Sequence, residues 1–259
     1  MKKMLAWNQY QIKLLMAFLM VLDHLDHVPG LIPENLAMVF HVLSRGVAVW
    51  FAYCVAEGVR YTHDLRRYLL RLYLAAGGML LGNLALRVLL QSKGITVLNN
   101  IFLTLALGAT MLAALQYFSW KPLKILAAAG ILAVGSIVAE GGLTVLPFML
   151  IAHLTYGKSR LRDVWCLVLS AALLLVSFAP YDTVAETLSM LAFNSDFLFI
   201  LVLPVLHLYN GKRGNTGKFG KYFFYVFYPA HLWLLALIAY WVSCCLLYTS
   251  DAADDKARV

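Results

Sequence analysis

Nine long apolar runs recur along the chain, separated by short clusters of Lys, Arg, Asn, Gly and Pro, and they cover residues 10–28, 36–57, 68–90, 98–118, 122–139, 143–157, 163–180, 188–209 and 222–243. About 20 apolar residues in a helix rise ~30 Å, the thickness of a bilayer's hydrocarbon core. The alternation over ~10-residue segments that marks an outer-membrane barrel is absent. The pattern predicts an all-α, polytopic helical membrane protein with about nine transmembrane helices, of which the sixth is short.

Composition sharpens this reading. The 259 residues are 62% hydrophobic and 13% charged, against roughly 45–50% and about 25% in soluble domains, which excludes a water-soluble globule. The net charge of +8 does not point to nucleic acid, because the basic residues sit between apolar runs rather than along one stripe. With the N-terminus cytoplasmic, one side collects Lys2, Lys3, Arg60, Arg66, Arg67, Arg71, Lys121, Lys124, Lys158, Arg160, Arg162, Lys212, Arg213, Lys218 and Lys221. The other holds Lys93, with Arg87 close by, so the positive-inside rule fits that orientation. Cys54 and Cys166 lie inside apolar runs and Cys244 and Cys245 are adjacent, so no disulfide is expected. The basic, apolar start resembles a signal peptide, but Asp23, His24, Asp26 and His27 interrupt it, so it reads as a retained first span. Residues 1–243 read as a single membrane domain. The stretch CLLYTSDAADD from Cys245 to Asp255 resembles a translated sequencing adapter, so residues 244–259 are expected to be a non-native tail.

Ionisable side chains within the runs cost about 2.5–3.5 kcal/mol each at the bilayer centre, so each calls for a partner, a water-filled cavity or a role. At ~1.5 Å per residue, Asp23 lies about 16 Å from the inner face, Arg45 about 13 Å from the outer face and His231 about 15 Å from the inner face. Three separate spans thus deliver an acid with a histidine, a guanidinium and a second histidine to one depth. Asp23 beside His24 fits a general base whose tautomer a carboxylate fixes. The bland alternative is an Asp23–Arg45 ion pair that fixes helix packing, with His24 bonded to a backbone carbonyl. His24 and His27 with two aspartates resemble metal ligands, but no second pair stands at ligand spacing, so no metal is expected.

The segment EGVRYTHDLRRYLLRL places Glu57, Arg60, Arg66, Arg67 and Arg71 at the inner end of the second and third spans. Guanidinium forks match phosphate oxygens, and anchoring to anionic headgroups is the competing explanation. Asn99, Asn100 and Thr104 open the fourth span as amides and a hydroxyl for substrate or oxyanion, or as helix caps. Glu140 falls in a turn where a solvated carboxylate is the simplest expectation. Pro229 stands two residues before His231 and turns Tyr228 and His231 inward, while Phe223, Phe224, Tyr225 and Phe227 read as lipid-facing. His41, His63, His153 and His207 lie near span ends, with His41 set apart by sharing a face with Arg45.

Taken in order, Asp23-His24, Arg45 followed by FAYCVAEGVRYT, RRYLLRL, NNIFLTLALG and YFFYVFYPAH resemble the TraX-like membrane acetyltransferases, within the wider transmembrane acyltransferase group. The likeness covers most of residues 12–235 and departs at GVAVW after Arg45, where a proline-containing stretch is expected. The resemblance implies a multi-pass protein of the bacterial inner membrane. It also implies transfer of an acetyl group from cytoplasmic acetyl-CoA to an acceptor at the outer side, a pilin N-terminus in the family or an envelope glycan. On that basis His24, Asp23, Arg45 and His231 are the expected catalytic residues. Glu57, Arg60, Arg66, Arg67 and Arg71 are expected to contact the cofactor, and Asn99, Asn100, Thr104, Glu140 and Tyr228 the substrate. The alternative from the residues alone is a proton-coupled transporter with an Asp/His relay.

Overall fold

The computed structural model describes residues 6–215 and 217–257; Lys2 and Lys3, counted above toward the orientation, lie outside them. Eleven α-helices follow one another among the described residues: α1 (Gln9–Asp23), α2 (Glu34–Ser44), α3 (Val47–Tyr61), α4 (Leu65–Leu90), α5 (Ile101–Tyr117), α6 (Lys121–Val138), α7 (Gly142–Leu154), α8 (Ser159–Ser177), α9 (Val184–Phe193), α10 (Val202–Leu208) and α11 (Lys218–Ala257). Their starts are chemically specified. Asn8 with Gln11 and Thr183 with Glu186 form capping boxes, and Asp64 and Asn100 cap α4 and α5 through their side chains. Such caps supply acceptors to N–H groups that have no partner inside the helix.

Every one of the nine apolar runs is helical, but they differ as spans. Glu34–Tyr61, which joins α2 and α3, Leu65–Lys93, Lys121–Val138 and Tyr222–Cys245 are four helices long and apolar enough to cross a bilayer. Val184–Phe193 with Ser195–Leu208 makes a fifth if counted as one span broken by a 60° bend. Helices α5 and α7 are apolar but shorter. The start of α5 is held by side-chain anchors. The amide of Asn100 donates to the carbonyl of Ala76 at 3.0 Å, and Asn83 donates to the carbonyl of Asn99 at 2.9 Å. The start of α5 is therefore fastened to the middle of α4 rather than to its end.

Helix α5 lies at the centre, packed on α3, α4, α6 and α7, with Ala106, Ala109, Met111 and Leu112 fully enclosed. On α4, Leu74, Leu80, Leu81, Leu84, Val88 and Leu89 stay exposed, as expected of a face solvated by lipid. Gly46, in the turn between α2 and α3, lets that turn approach the start of α10. A Cβ there would lie 3.1 Å from the backbone nitrogen of Val202. At the opposite end of α3, the loop after α10 is tied to the chain entering α1. Trp7 donates to Leu208 at 2.9 Å, Asn210 to Trp7 at 3.0 Å, Gln9 to Lys212 at 2.9 Å and Tyr10 to Arg213 at 3.2 Å, all through backbone groups.

Candidate functional site

A cavity of about 1320 Å³ runs through the helices. Gln9 and Lys13 line it at one end of α1 and Asp23 and His24 at the other; that separation is about 21 Å of helix. The two ends have opposite character. Lys13, Arg71, Lys158, Arg162 and Arg213 face it around Glu57, whereas Asp23, Asp26, Asp196 and Glu140 face it around Arg45. Five cations oppose one carboxylate at the first end, and four carboxylates oppose one guanidinium at the second.

At the acidic end, Arg45 occupies the turn between α2 and α3. Its Nη1 donates to Asp196 at 3.1 Å, its Nε to the carbonyl of His41 at 3.1 Å, and its Nη2 to His41 Nδ1 at 3.0 Å. The carboxylate of Asp23 lies 3.8 Å from Nη2. Five N–H donors are available on a guanidinium, so Nη1 and Nη2 each retain one for a ligand. Asp23 closes α1 and pairs with Arg45 and His41 rather than His24. The expectation that Asp23 orients His24 is therefore corrected. His24 is the C-cap of α1, and its Nδ1 donates to the Met20 carbonyl at 2.7 Å. A carbonyl only accepts, which fixes the proton on Nδ1 and leaves Nε2 with its lone pair. Both bland contacts foreseen for these residues are thus real, and all three side chains nonetheless face the cavity.

His231 meets His24 edge-on, with ring centroids 5.3 Å apart, but it does not line the cavity. Its Nδ1 donates to the Phe227 carbonyl at 3.0 Å, and its Nε2 is buried without a partner. With the proton on Nδ1, Nε2 is an acceptor that no cavity-lining group reaches, so the expectation that His231 is a catalytic residue acting on an oxyanion as donor does not fit this geometry.

Glu140 is not a solvated turn residue. Asn99 Nδ2 donates to Oε1 at 2.9 Å, Tyr228 donates to Oε2 at 3.2 Å, and the backbone N–H of Asn100 also donates to Oε2. The Tyr228 hydroxyl accepts from the Ile101 N–H at 3.2 Å, and Thr104 donates to the Glu140 carbonyl at 2.7 Å. The structure thus gathers Asn99, Asn100, Thr104, Glu140 and Tyr228 into one cluster. Within it Asn99, Glu140 and Tyr228 face the cavity, while Asn100 caps α5 and Thr104 is fully buried.

The arginine set needs a larger correction. Arg66 is exposed, and Arg67 is 85% exposed and drawn 2.9 Å from Asp64, the cap of its own helix. Neither lines the cavity. Arg60 lies 3.7 Å over the Tyr156 ring and donates to the His153 carbonyl at 3.2 Å, stapling α3 to α7. Only Arg71 and Glu57 of that set face the cavity; Glu57 accepts from Tyr209 at 3.1 Å and from Gln9 at 3.3 Å. Lys13, Arg162 and Arg213 complete the basic end, and sequence reasoning had treated the latter two as orientation signals. Arg162 is fixed by Asp163 at 2.8 Å, which in turn contacts His207 at 2.8 Å. Phe224, Tyr225 and Phe227 also line the cavity, not lipid. Acetyl-CoA, the substrate the resemblance implies, is an elongated polyanion with its thioester far from its phosphates. An extended cavity, basic at one end and bearing a histidine lone pair at the other, fits that shape and charge. Among the described residues no three His, Cys, Asp or Glu side chains stand in position to hold one metal ion.

An all-helical chain with several bilayer-length apolar helices around a cavity with charged ends is an integral membrane protein. Residues 8–239 match the family described as TraX protein, and the chain belongs to that family. Comparison with curated proteins and with solved structures gives no match.

Proposed function

We propose that the protein is a membrane-embedded acetyltransferase that moves an acetyl group from cytoplasmic acetyl-CoA to an amine at the outer side of the bacterial inner membrane, such as a pilin N-terminus. The observation that carries this reading is the opposite charge of the two ends of one cavity, with His24 at the acidic end. An anionic donor is drawn to Lys13, Arg71, Arg162 and Arg213, and a cationic acceptor to Asp23, Asp26, Asp196 and Glu140. The same charge preference favours an ammonium over a neutral glycan hydroxyl. The reading takes the nine helical segments as nine spans, with the N-terminus and the basic end cytoplasmic, in keeping with the placement of Lys and Arg.

In this reaction the acceptor nitrogen attacks the thioester carbonyl. His24 Nε2 takes the proton from that nitrogen, the retained N–H groups of Arg45 stabilise the oxyanion, and the C–S bond breaks as the thiolate recovers the proton from His24. The products are the acetamide and free CoA thiol. Removing a general base typically costs about 10²–10⁴-fold. The test is single-turnover transfer of labelled acetyl from acetyl-CoA to a peptide with a free amino terminus. Purified wild type transfers the label, His24→Ala is slower by at least about 10²-fold, and full-rate transfer by that variant rejects the mechanism.

The broken span beside Arg45 and Asp196 favours a second reading, proton-coupled transport. Flux in proteoliposomes without consumption of acyl donor is its distinguishing result.

A further inference from the structure

His41 stands where two hydrogen-bonding demands collide. Its Nε2 lies 3.0 Å from the Phe193 carbonyl, which only accepts, so that nitrogen carries a proton. Its Nδ1 lies 3.0 Å from Arg45 Nη2 and 3.3 Å from Asp23 Oδ1. A guanidinium only donates and an ionised carboxylate only accepts. Without a proton, Nδ1 spends its one lone pair on the Arg45 N–H and offers Asp23 nothing. With one, it donates to Asp23 and lets go of Arg45. Asp23 Oδ1 is buried with no hydrogen-bond partner, and it is the atom such a proton would satisfy.

Carboxylates and a guanidinium from several elements meet around Nδ1. Asp23 comes from α1, Arg45 follows α2, and Asp196 comes from the 3-10 segment Ser195–Leu201. Around neutral His41, these two carboxylates and one guanidinium leave an excess negative charge. His24, Asp26 and His27 line the same end of the cavity. Helix α9 contributes the carbonyl and the stacked ring of Phe193, 6.0 Å away and within 15° of parallel, which hold the imidazole in its plane.

We propose that His41 is a second proton-accepting residue of the site, taking one proton at Nδ1 from an incoming ammonium and thereby releasing the Arg45 Nη2 N–H into the cavity. This rests on the acetyltransferase reading for its substrate, though not for its chemistry. An ammonium has no lone pair and must lose one proton before it attacks. His41 takes that proton, which leaves the neutral amine. The Arg45 N–H that His41 releases becomes a further donor for the oxyanion. His24 separately carries the second proton from the attacking nitrogen to the departing thiolate. Return of the His41 proton to water closes the cycle: ammonium plus acetyl-CoA gives acetamide, CoA thiol and one proton.

The test begins with a readout that needs no turnover, the pH dependence of deuterium exchange at the C2 position of each histidine, read by mass spectrometry on the full chain in micelles. In Asp23→Asn the proton affinity of His41 falls about tenfold or more, because the stabilising carboxylate is gone. In Arg45→Gln it rises, because the competing cation is gone, while His153 and His207 stay put in both. The two variants move in opposite directions, so the experiment survives the loss of either one to misfolding. Equal His41 titration in wild type and either folded variant overturns the proposal. In the second arm, His41→Gln slows transfer to a peptide ammonium and makes the acid limb of its pH–rate profile less steep, since His24 alone then sets it, and an unchanged rate and profile also overturn it. If wild type transfers no acetyl group while Asp23→Asn still weakens proton binding at His41, the acetyltransferase reading falls and the proton site stands.

Discussion

Glu140 receives three donors from two directions, two from the start of α5 and one from Tyr228 on α11. Hydrogen bonds to a charged group are worth about 1.5–3 kcal/mol each, and donors left without an acceptor inside a bundle add their own cost. Glu140→Ala is therefore expected to lower stability by about 3 kcal/mol, read as a fall in the unfolding midpoint in detergent. Glu140→Gln keeps one carbonyl acceptor and loses the charge, so it costs less stability while weakening capture of a cationic acceptor, seen as a higher KM for the peptide. Wild-type stability and KM in Glu140→Gln would mean that the carboxylate's charge has no part in the cluster. Asp23, His24 and Arg45 were legible from sequence because an ionisable group deep in an apolar run is costly and so conspicuous. Arg213 and Arg162 were not, because a charge near the end of a run looks the same whether it anchors the helix or faces a cavity; Asp196, well inside the run 188–209, was conspicuous by the same cost rule. His41 showed only a shared face with Arg45; the partners that give it meaning, Asp23 and Phe193, lie on other helices.

Helices of about 20 apolar residues are written into the sequence by composition, and all nine runs became helical. Their depths were not, because depth is set by side chains that fasten one helix to another. The hairpin of α6 and α7 carries Glu140, and its closeness depends on Gly142. A Cβ at that position would collide with the Gly135 carbonyl, a backbone atom that no rotamer change can move. Gly142→Ala is expected to cost about 1–3 kcal/mol through overpacking and to pull Glu140 away from Asn99 and Tyr228. A drop in thermal midpoint together with a raised KM for the acceptor reports this; wild-type values in both would show that the hairpin is not what sets Glu140. The bend near Asn194 was only partly hidden. The polar triplet Asn194-Ser195-Asp196 interrupts the run 188–209 where the 60° break falls, but a triplet gives neither the angle nor the outcome that the break presents Asp196 to Arg45.

Across the whole molecule, the cavity is a dipole, and its basic pole is assembled from both ends of the sequence. Lys13 belongs to the first helix and Arg213 to the loop before the last, and the backbone bonds from Gln9 to Lys212 and from Tyr10 to Arg213 hold these elements together. Those bonds use main-chain atoms, so changing the Arg213 side chain leaves the loop docked. Gly214, at φ 77°, has no room for a Cβ beside Asn8, which fixes the register of the loop and hence the placement of its neighbour. Arg213→Glu should then weaken acetyl-CoA binding without disturbing the chemistry at His24, because Arg213 faces the cavity at the opposite pole. Loss of one charge-assisted contact, about 1.5 kcal/mol, corresponds to roughly tenfold, expected as a raised KM for acetyl-CoA at nearly constant kcat. Arg67→Glu, on the exposed face of α4, serves as the matched control and is expected to leave KM within about twofold, since exposed charges contribute little. The reverse ranking, with Arg67 governing KM and Arg213 silent, would place the anionic donor outside the cavity. The opposed charges of its two ends could then no longer account for the direction of transfer.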